Sequence, residues 1–126
     1  MRFHDYHLTG YEVANSGQTV KLNLEYDYPD QEKLWSVIQF HEVALYSFIH
    51  TDGAIILDIE QVSVAELVMA NSAVISEWSR QYSVRFWQGD LEEYSATLVN
   101  AGYQAWIIES AIGFYGFVIA KSVSNQ

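Results

Sequence analysis

The chain has 126 residues, of which 50% are hydrophobic, and 16 acidic against 6 basic side chains give it a formal net charge of −10. A chain of this length can bury a core without staples, and the absence of cysteine excludes thiol catalysis, cysteine zinc sites and disulfides. The negative charge repels phosphate backbones, so nucleic acid is not an expected partner.

The first half of the chain predicts a series of strands. Apolar and polar residues alternate from Thr19 to Tyr28, which is the pattern of a half-buried strand, and Pro29 ends it because proline cannot donate to a sheet ladder. Turn residues over 15–18 join this strand to a shorter one, so the two form a hairpin. The shorter strand covers 6–13. Further strands are predicted over 34–40, 43–49 and 55–60, with a bulge at His41-Glu42 and a turn at Thr51-Asp52-Gly53.

Two helices are predicted after these strands. A capping box over Ser63–Glu66 marks the start of the first helix, and apolar residues then recur at spacings of three and four up to Tyr82. Asp90 marks the start of a second, shorter helix, which ends at Gly102. One helix is therefore long and the other short.

The end of the chain predicts a closing hairpin. Its strands cover 103–109 and 117–123, and Gly113 and Gly116 supply the turn between them. Strands, then helices, then strands predict an α+β fold, with a single antiparallel sheet and one long and one short helix packed on one face. No linker composition interrupts the chain, so we predict a single α+β domain over 1–126.

Hydropathy and the N-terminal sequence bear on location. The longest apolar runs, such as 54–57 and 117–120, are far shorter than the ~20 residues that a membrane-spanning helix needs. His4, Asp5 and His7 interrupt the N-terminal segment where a secretory signal requires an apolar run. We therefore expect a cytoplasmic protein without a membrane partner.

The sequence carries no nucleophile elbow, phosphate-binding loop or dinucleotide fingerprint, so we predict no catalytic residue, no cofactor and no metal. A small hydrolase or metal-dependent enzyme remains an alternative, because Asp58 and Glu60 lie on one face of a predicted strand, about 6.6 Å apart between Cα atoms. Such an enzyme would combine these carboxylates with the chain's histidines, which are His4, His7, His41 and His50.

Aromatic and acidic residues favour binding to another protein. Aromatic residues make up 15% of the chain, more than a domain of this size easily hides, and two pairs of them fall in predicted loops. Carboxylates flanking such a patch attract a basic protein. The predicted partner-binding residues are Glu25, Asp27, Asp58, Glu60, Phe86, Trp87, Phe114 and Tyr115.

Three segments of the sequence carry a resemblance: HDYHLTGYEV at 4–13, IQFHEV at 38–43 and AIILDIEQV at 54–62. They resemble small acidic bacterial proteins of uncharacterised families, some of which are similar to immunity proteins that neutralise toxins, over the first 60 residues. The resemblance favours a non-enzymatic binding protein of the immunity or inhibitor kind, and it identifies no partner. The net charge and the loop aromatics predict that the partner is a basic protein. A third alternative is a homodimer or larger homo-oligomer in which an open sheet face or edge pairs with its twin.

Overall fold

A computed structural model of the chain describes residues 2–81 and 89–125. Four strands dominate it: β1 (Arg2–Ala14), β2 (Thr19–Tyr26), β3 (Leu34–Val62) and β4 (Gln104–Asn125). Between β3 and β4 the described part of the chain forms three helices, α1 (Val64–Ala70), α2 (Ser72–Gln81) and α3 (Leu91–Asn100). A 3₁₀ turn over Asn15–Gly17 joins β1 to β2.

The strands form one antiparallel sheet in the order β1, β2, β3, β4, and β1 also pairs with β3. The second pairing arises because β3 is bent: β2 pairs with its first part, residues 34–41, and β1 pairs with residues 55–58. β4 pairs with β3 along nearly its whole length, so these two strands make a long bent ribbon. We call this pair the β3–β4 ribbon.

The bend of the ribbon lies where the pairing register jumps. His50 pairs with Phe114 and Ile55 pairs with Ile112, so residues 51–54 of β3 face Gly113 alone on β4. Extra residues on one strand bend it and increase its twist, as in a β-bulge. Gly53 and Gly113 both have a φ of +79°, which glycine adopts without the strain that a Cβ atom brings.

Alternating residues of the ribbon belong to two separate apolar clusters. One cluster fills the inside of the curved sheet, which we call the inner face, and it includes Leu22, Phe40, Ile56, Ile108 and Val118. The other lies on the outer face of the ribbon, where the helices pack. There the helical residues Leu67, Val68, Ile75 and Leu98 contact the strand residues Leu45, Phe117 and Ile119.

Side-chain caps fix where α1 and α3 begin, as the sequence predicts. The Glu66 N–H donates to the Ser63 Oγ at 3.3 Å, and the Glu93 N–H donates to the Asp90 carboxylate at 2.8 Å. Each cap satisfies an amide that has no partner within its own helix.

The prediction of one long and one short helix is wrong. The predicted long helix is interrupted at Asn71, whose backbone leaves the helical region (φ −109°, ψ 21°) and whose side-chain amide donates to the Leu67 carbonyl at 2.9 Å. Val68 and Ile75 lie seven residues apart and both pack in the outer cluster, so the apolar periodicity continues across the break and hides it.

The predicted turn at Thr51-Asp52-Gly53 and the predicted closing hairpin are also wrong. Residues 51–53 lie within β3, and residues 104–125 form one continuous strand that pairs with β3. The bulge predicted at His41-Glu42 is displaced toward the C-terminus: the register of the β3–β4 pairing shifts between Val43 and Leu45. Within the described ranges, no helix is long and apolar enough to span a membrane.

Candidate functional site

The outer face of the β3–β4 ribbon carries an exposed apolar patch at its bend. Ile49 and Tyr115 are cross-strand partners, and Ile112 pairs with Ile55 on the other side of the bend. Ile49 is 66% exposed, Ile112 59% and Tyr115 48%. We call Ile49, Ile112 and Tyr115 the ribbon patch. It forms because the outer cluster under the helices stops short of the bend, at Phe117 on one side of it and at Ile107 on the other.

A row of carboxylates lies on the same face of the ribbon, beginning three residues from Ile112 along β4. Asp58 of β3 pairs with Glu109 of β4, and Glu60 lies two residues further along the same face as Asp58. We call Asp58, Glu60 and Glu109 the carboxylate row. Partial desolvation, a hydrogen bond with Glu60 and the negative charges of Glu60 and Asp58 together raise the pKa of Glu109. The row therefore concentrates negative charge around Glu109.

Cross-strand pairing relates the ribbon patch to Glu25 and Asp27, the other acidic residues predicted to bind a partner. Trp35, Glu25, His7, Ile55 and Ile112 are successive cross-strand neighbours, one from each strand segment in turn. At about 4.8 Å per strand, Glu25 lies about 14 Å from Ile112 along the sheet. Glu25 and the carboxylate row thus share the outer face of the sheet.

The negative charge of Glu25 and Asp27 is partly offset by Lys33. The Lys33 Nζ lies 2.9 Å from a Glu25 carboxylate oxygen and 3.9 Å from one of Asp27, and it also lies 4.6 Å above the centre of the Trp35 ring. The hydrogen bond to Glu25 is the main reason that the pKa of Lys33 is raised. Lys33 therefore offsets part of the negative charge of this acidic group.

The inner face at the bend holds a cluster of aromatic rings, which we call the seam cluster. Tyr11 of β1 contacts rings of both ribbon strands, with centroid distances of 5.0 Å to Phe48, 5.7 Å to His50 and 6.3 Å to Phe114. Tyr46 extends the cluster through Phe48 at 5.4 Å. These contacts join β1 to β3 by side chains where the backbones of the two strands do not pair.

The histidines lie in different surroundings. His4 is 3.8 Å from the Asp5 carboxylate, the His7 ring lies 5.4 Å from that of Tyr28, and His41 is hydrogen-bonded to Ser124 at 2.9 Å. His50 belongs to the seam cluster. Among residues 2–81 and 89–125, no group of three or more metal-ligating side chains could hold a metal ion.

The predicted partner-binding residues are thus divided among several places. Asp58, Glu60 and Tyr115 share the outer face of the ribbon but lie on opposite sides of its bend, whereas Phe114 is 7% exposed and faces the inner core. Phe86 and Trp87 lie outside the described residues. Phe114 and Tyr115 are both predicted to lie in a loop and to bind the partner. In the structure they are adjacent residues of a strand, so they point to opposite faces.

The sequence does not predict Ile49, Ile112 and Glu109 as members of the candidate site. An apolar residue within a strand is ordinarily interpreted as core, and nothing local shows that the helices stop short of the bend. The face on which Glu109 lies can be predicted from the sequence, because strand alternation places Glu109 opposite Ile108 and on the same face as Ile107 and Ala105. Its position beside Asp58, however, depends on a pairing between distant strands.

Comparisons with known proteins give one structural neighbour. No family model matches the chain, and no curated protein matches it significantly. Among solved structures, the chain is similar to an uncharacterized protein from Neisseria gonorrhoeae, with a TM-score of 0.51 and 12% sequence identity over 98% of this chain and 92% of that chain. At this identity the likeness shows a shared fold and carries no activity, ligand or partner across.

Proposed function

We propose that this protein is a non-enzymatic protein-binding module that docks a basic partner protein on the outer face of the β3–β4 ribbon. The observation that carries the proposal is the occurrence of two features on the outer face of the ribbon: the three exposed apolar side chains of the ribbon patch, and the three carboxylates of the row, which begins three residues from Ile112 along β4. An apolar centre with a charged rim is the usual anatomy of a specific protein interface.

The ribbon patch supplies the binding energy in this proposal. Burying an isoleucine that is about two-thirds exposed stabilises a complex by roughly 1 to 2 kcal/mol before the cost of association. Tyrosine adds a large ring with a polar tip, a combination common among interface residues that dominate binding. Ile49, Ile112 and Tyr115 together suffice for a small central anchor.

The carboxylate row determines which partner is favoured. The whole sequence has six basic and sixteen acidic side chains, so the electrostatic potential around the protein is strongly negative. Carboxylates at an interface rim steer a basic protein toward the patch and disfavour acidic proteins. The resemblance to immunity proteins in the first 60 residues agrees with such a role, since an inhibitor that neutralises a basic toxin would use this kind of surface.

The proposal is tested by affinity capture from an extract of the source organism. Immobilised wild-type protein is compared with the double variant Ile49→Ser/Tyr115→Ser, at low and at high salt. We expect the wild type to retain a basic protein and the double variant to retain about ten-fold less of it, which corresponds to about 1.4 kcal/mol. Retention should also fall as salt increases.

Matched controls are provided by exposed apolar residues on the helices. Met69 of α1 and Val99 of α3 are each 53% exposed, so Met69→Ser and Val99→Ser remove similar apolar surface from other parts of the molecule. These two variants should retain the basic protein as the wild type does. Equal retention by all variants, or selective retention of acidic proteins, would refute the proposal.

A further inference from the structure

One edge of β3 is open beside the bend. Over residues 43–50 β4 occupies one edge of β3, while on the other edge β2 ends opposite His41 and β1 begins opposite Ile55. A single bond from the Val43 N–H to the Gln18 carbonyl, at 2.9 Å, continues the β2 side. From residue 44 to residue 54, no described strand pairs with this edge. The backbone polar groups there are available to another chain.

A groove follows this open edge. Five consecutive residues of β3, Val43–Ser47, line it, together with residues 16–18 and the Trp78 side chain of α2, and its volume is about 510 Å³. Successive side chains of a strand point to opposite faces, so a groove lined by five in a row runs along the edge and not across one face. Such a groove is shaped for an extended chain.

We infer that an extended segment of the basic partner pairs with the open edge of β3 as an added strand, centred on residues 44–50. This inference rests on the proposed function and specifies how the partner is held. Main-chain hydrogen bonds to the edge would supply affinity, and side chains on alternate faces would supply specificity.

Charge favours a basic segment over a second copy of this chain. Exposed carboxylates lie at both ends of the open edge, at Glu42 and at Asp52. An antiparallel pairing of two copies centred on Ser47 would bring Glu42 of each close to Asp52 of the other, between molecules that each carry −10. A basic strand would instead place lysine or arginine next to both carboxylates.

The side chains along the edge indicate what the added strand carries. Tyr46, Phe48 and His50 present rings on the inner face, within the seam cluster. Residues of the added strand that point inward would therefore be apolar, in contact with these rings. Basic residues are expected next to Glu42 and Asp52. The expected segment therefore carries both apolar and basic residues.

A synthetic peptide of about eight residues, alternating lysine and valine and capped at both ends, is the probe. The comparison peptide has the same sequence with every backbone nitrogen methylated, which retains its charge and removes its N–H donors. Affinity is measured by calorimetry. Hydrogen exchange with mass spectrometry locates the protected amides. We expect about ten-fold tighter binding of the unmodified peptide and slower exchange across residues 43–50.

Two substitutions test the location. Ser47→Arg places a positive charge on the groove, and Ser76→Arg places the same charge on the exposed surface of α2. Ser47→Arg should weaken binding of the lysine–valine peptide about five-fold or more, and Ser76→Arg should leave it near the wild-type value. Circular dichroism establishes that both variants are folded.

The outcomes separate this inference from the proposed function. Equal affinity of the two peptides, no binding of either, or protection elsewhere overturns strand addition. The proposed function still stands in those cases if the capture experiment retains a basic protein. A dimer in sedimentation, with the same amides protected by self-association, replaces the partner strand by a second copy. If the peptide pairs with the edge but the capture experiment retains no basic protein, strand addition at the open edge of β3 stands and the proposed basic partner protein is refuted.

Discussion

Gly113 of β4 lies against the backbone of Ala54 of β3, so closely that a Cβ atom on Gly113 would lie 2.9 Å from the Ala54 Cα and 3.1 Å from its N. Ala54 is 1% exposed and belongs to the inner core, so it has no free space into which to move. This contact holds the bend of the ribbon closed. The ribbon patch and the open edge of β3 both owe their positions to that bend.

Gly113→Ala should therefore destabilise the protein more than Gly53→Ala. Both glycines have a φ of +79°, but nothing lies within 4 Å of a Cβ atom placed on Gly53. The backbone conformation alone costs about 1 kcal/mol in each variant, and the clash with Ala54 brings Gly113→Ala to about 3 kcal/mol. Urea unfolding measures both, and equal losses of free energy would contradict the close approach at Gly113.

Glu109→Gln should raise stability at neutral pH. The pKa of Glu109 is raised above its ordinary value of 4.5, so between these two values the folded state binds more protons than the unfolded state. The free energy of unfolding therefore falls as pH rises through that window, and the loss persists at neutral pH. Because the row is exposed to solvent, the gain in Glu109→Gln is only about 0.5 kcal/mol.

The measurement is the free energy of unfolding as a function of pH, for the wild type and Glu109→Gln. Glu32→Gln, in the exposed loop before β3, is the matched control for removing one negative charge. Glu109→Gln should flatten the decline in stability above the ordinary glutamate pKa, and Glu32→Gln should not. A wild-type stability that rises with pH over that window because of Glu109 would contradict the raised pKa.

Tyr11→Ala should lower stability by about 2 kcal/mol, because it removes the ring that joins β1 to Phe48, His50 and Phe114. Tyr115→Ala is the matched control on the outer face, and it should stay within about 0.5 kcal/mol of the wild type. Thermal unfolding of the two variants distinguishes them. A larger loss in Tyr115→Ala would mean that the ribbon patch is structural, which would weaken its assignment as a binding surface.

The sequence predicts those elements whose pattern is local. The alternation over 19–26 identifies β2 because each of its faces keeps one environment, and the caps at Ser63 and Asp90 identify two helix starts because a cap involves only neighbouring residues. Long-range pairing has no such local signal. Residues 104–112 pair with the second part of β3 and not with 117–123, which the glycines at 113 and 116 cannot reveal.

The candidate site was partly predictable for the same reason. Composition predicts an acidic surface, and strand alternation predicts that Asp58 and Glu60 share one face, as they do in the structure. That Glu109 joins them, and that Ile49 and Ile112 are exposed on the same face, depends on where β4 pairs and where the helices end. Glu25 and Asp27 were predicted as binding residues from their charge, but Lys33 approaches both, which required the geometry of the loop before β3.

The central claim is that the carboxylate row beside the ribbon patch binds a basic protein. Its most direct test is the affinity of the basic protein retained in the capture experiment for the wild type and for Glu60→Gln/Glu109→Gln, at low and at high salt. The proposed docking predicts that the wild type binds about ten-fold tighter at low salt and that the difference disappears at high salt. The same affinity in both proteins at both salt concentrations would contradict it.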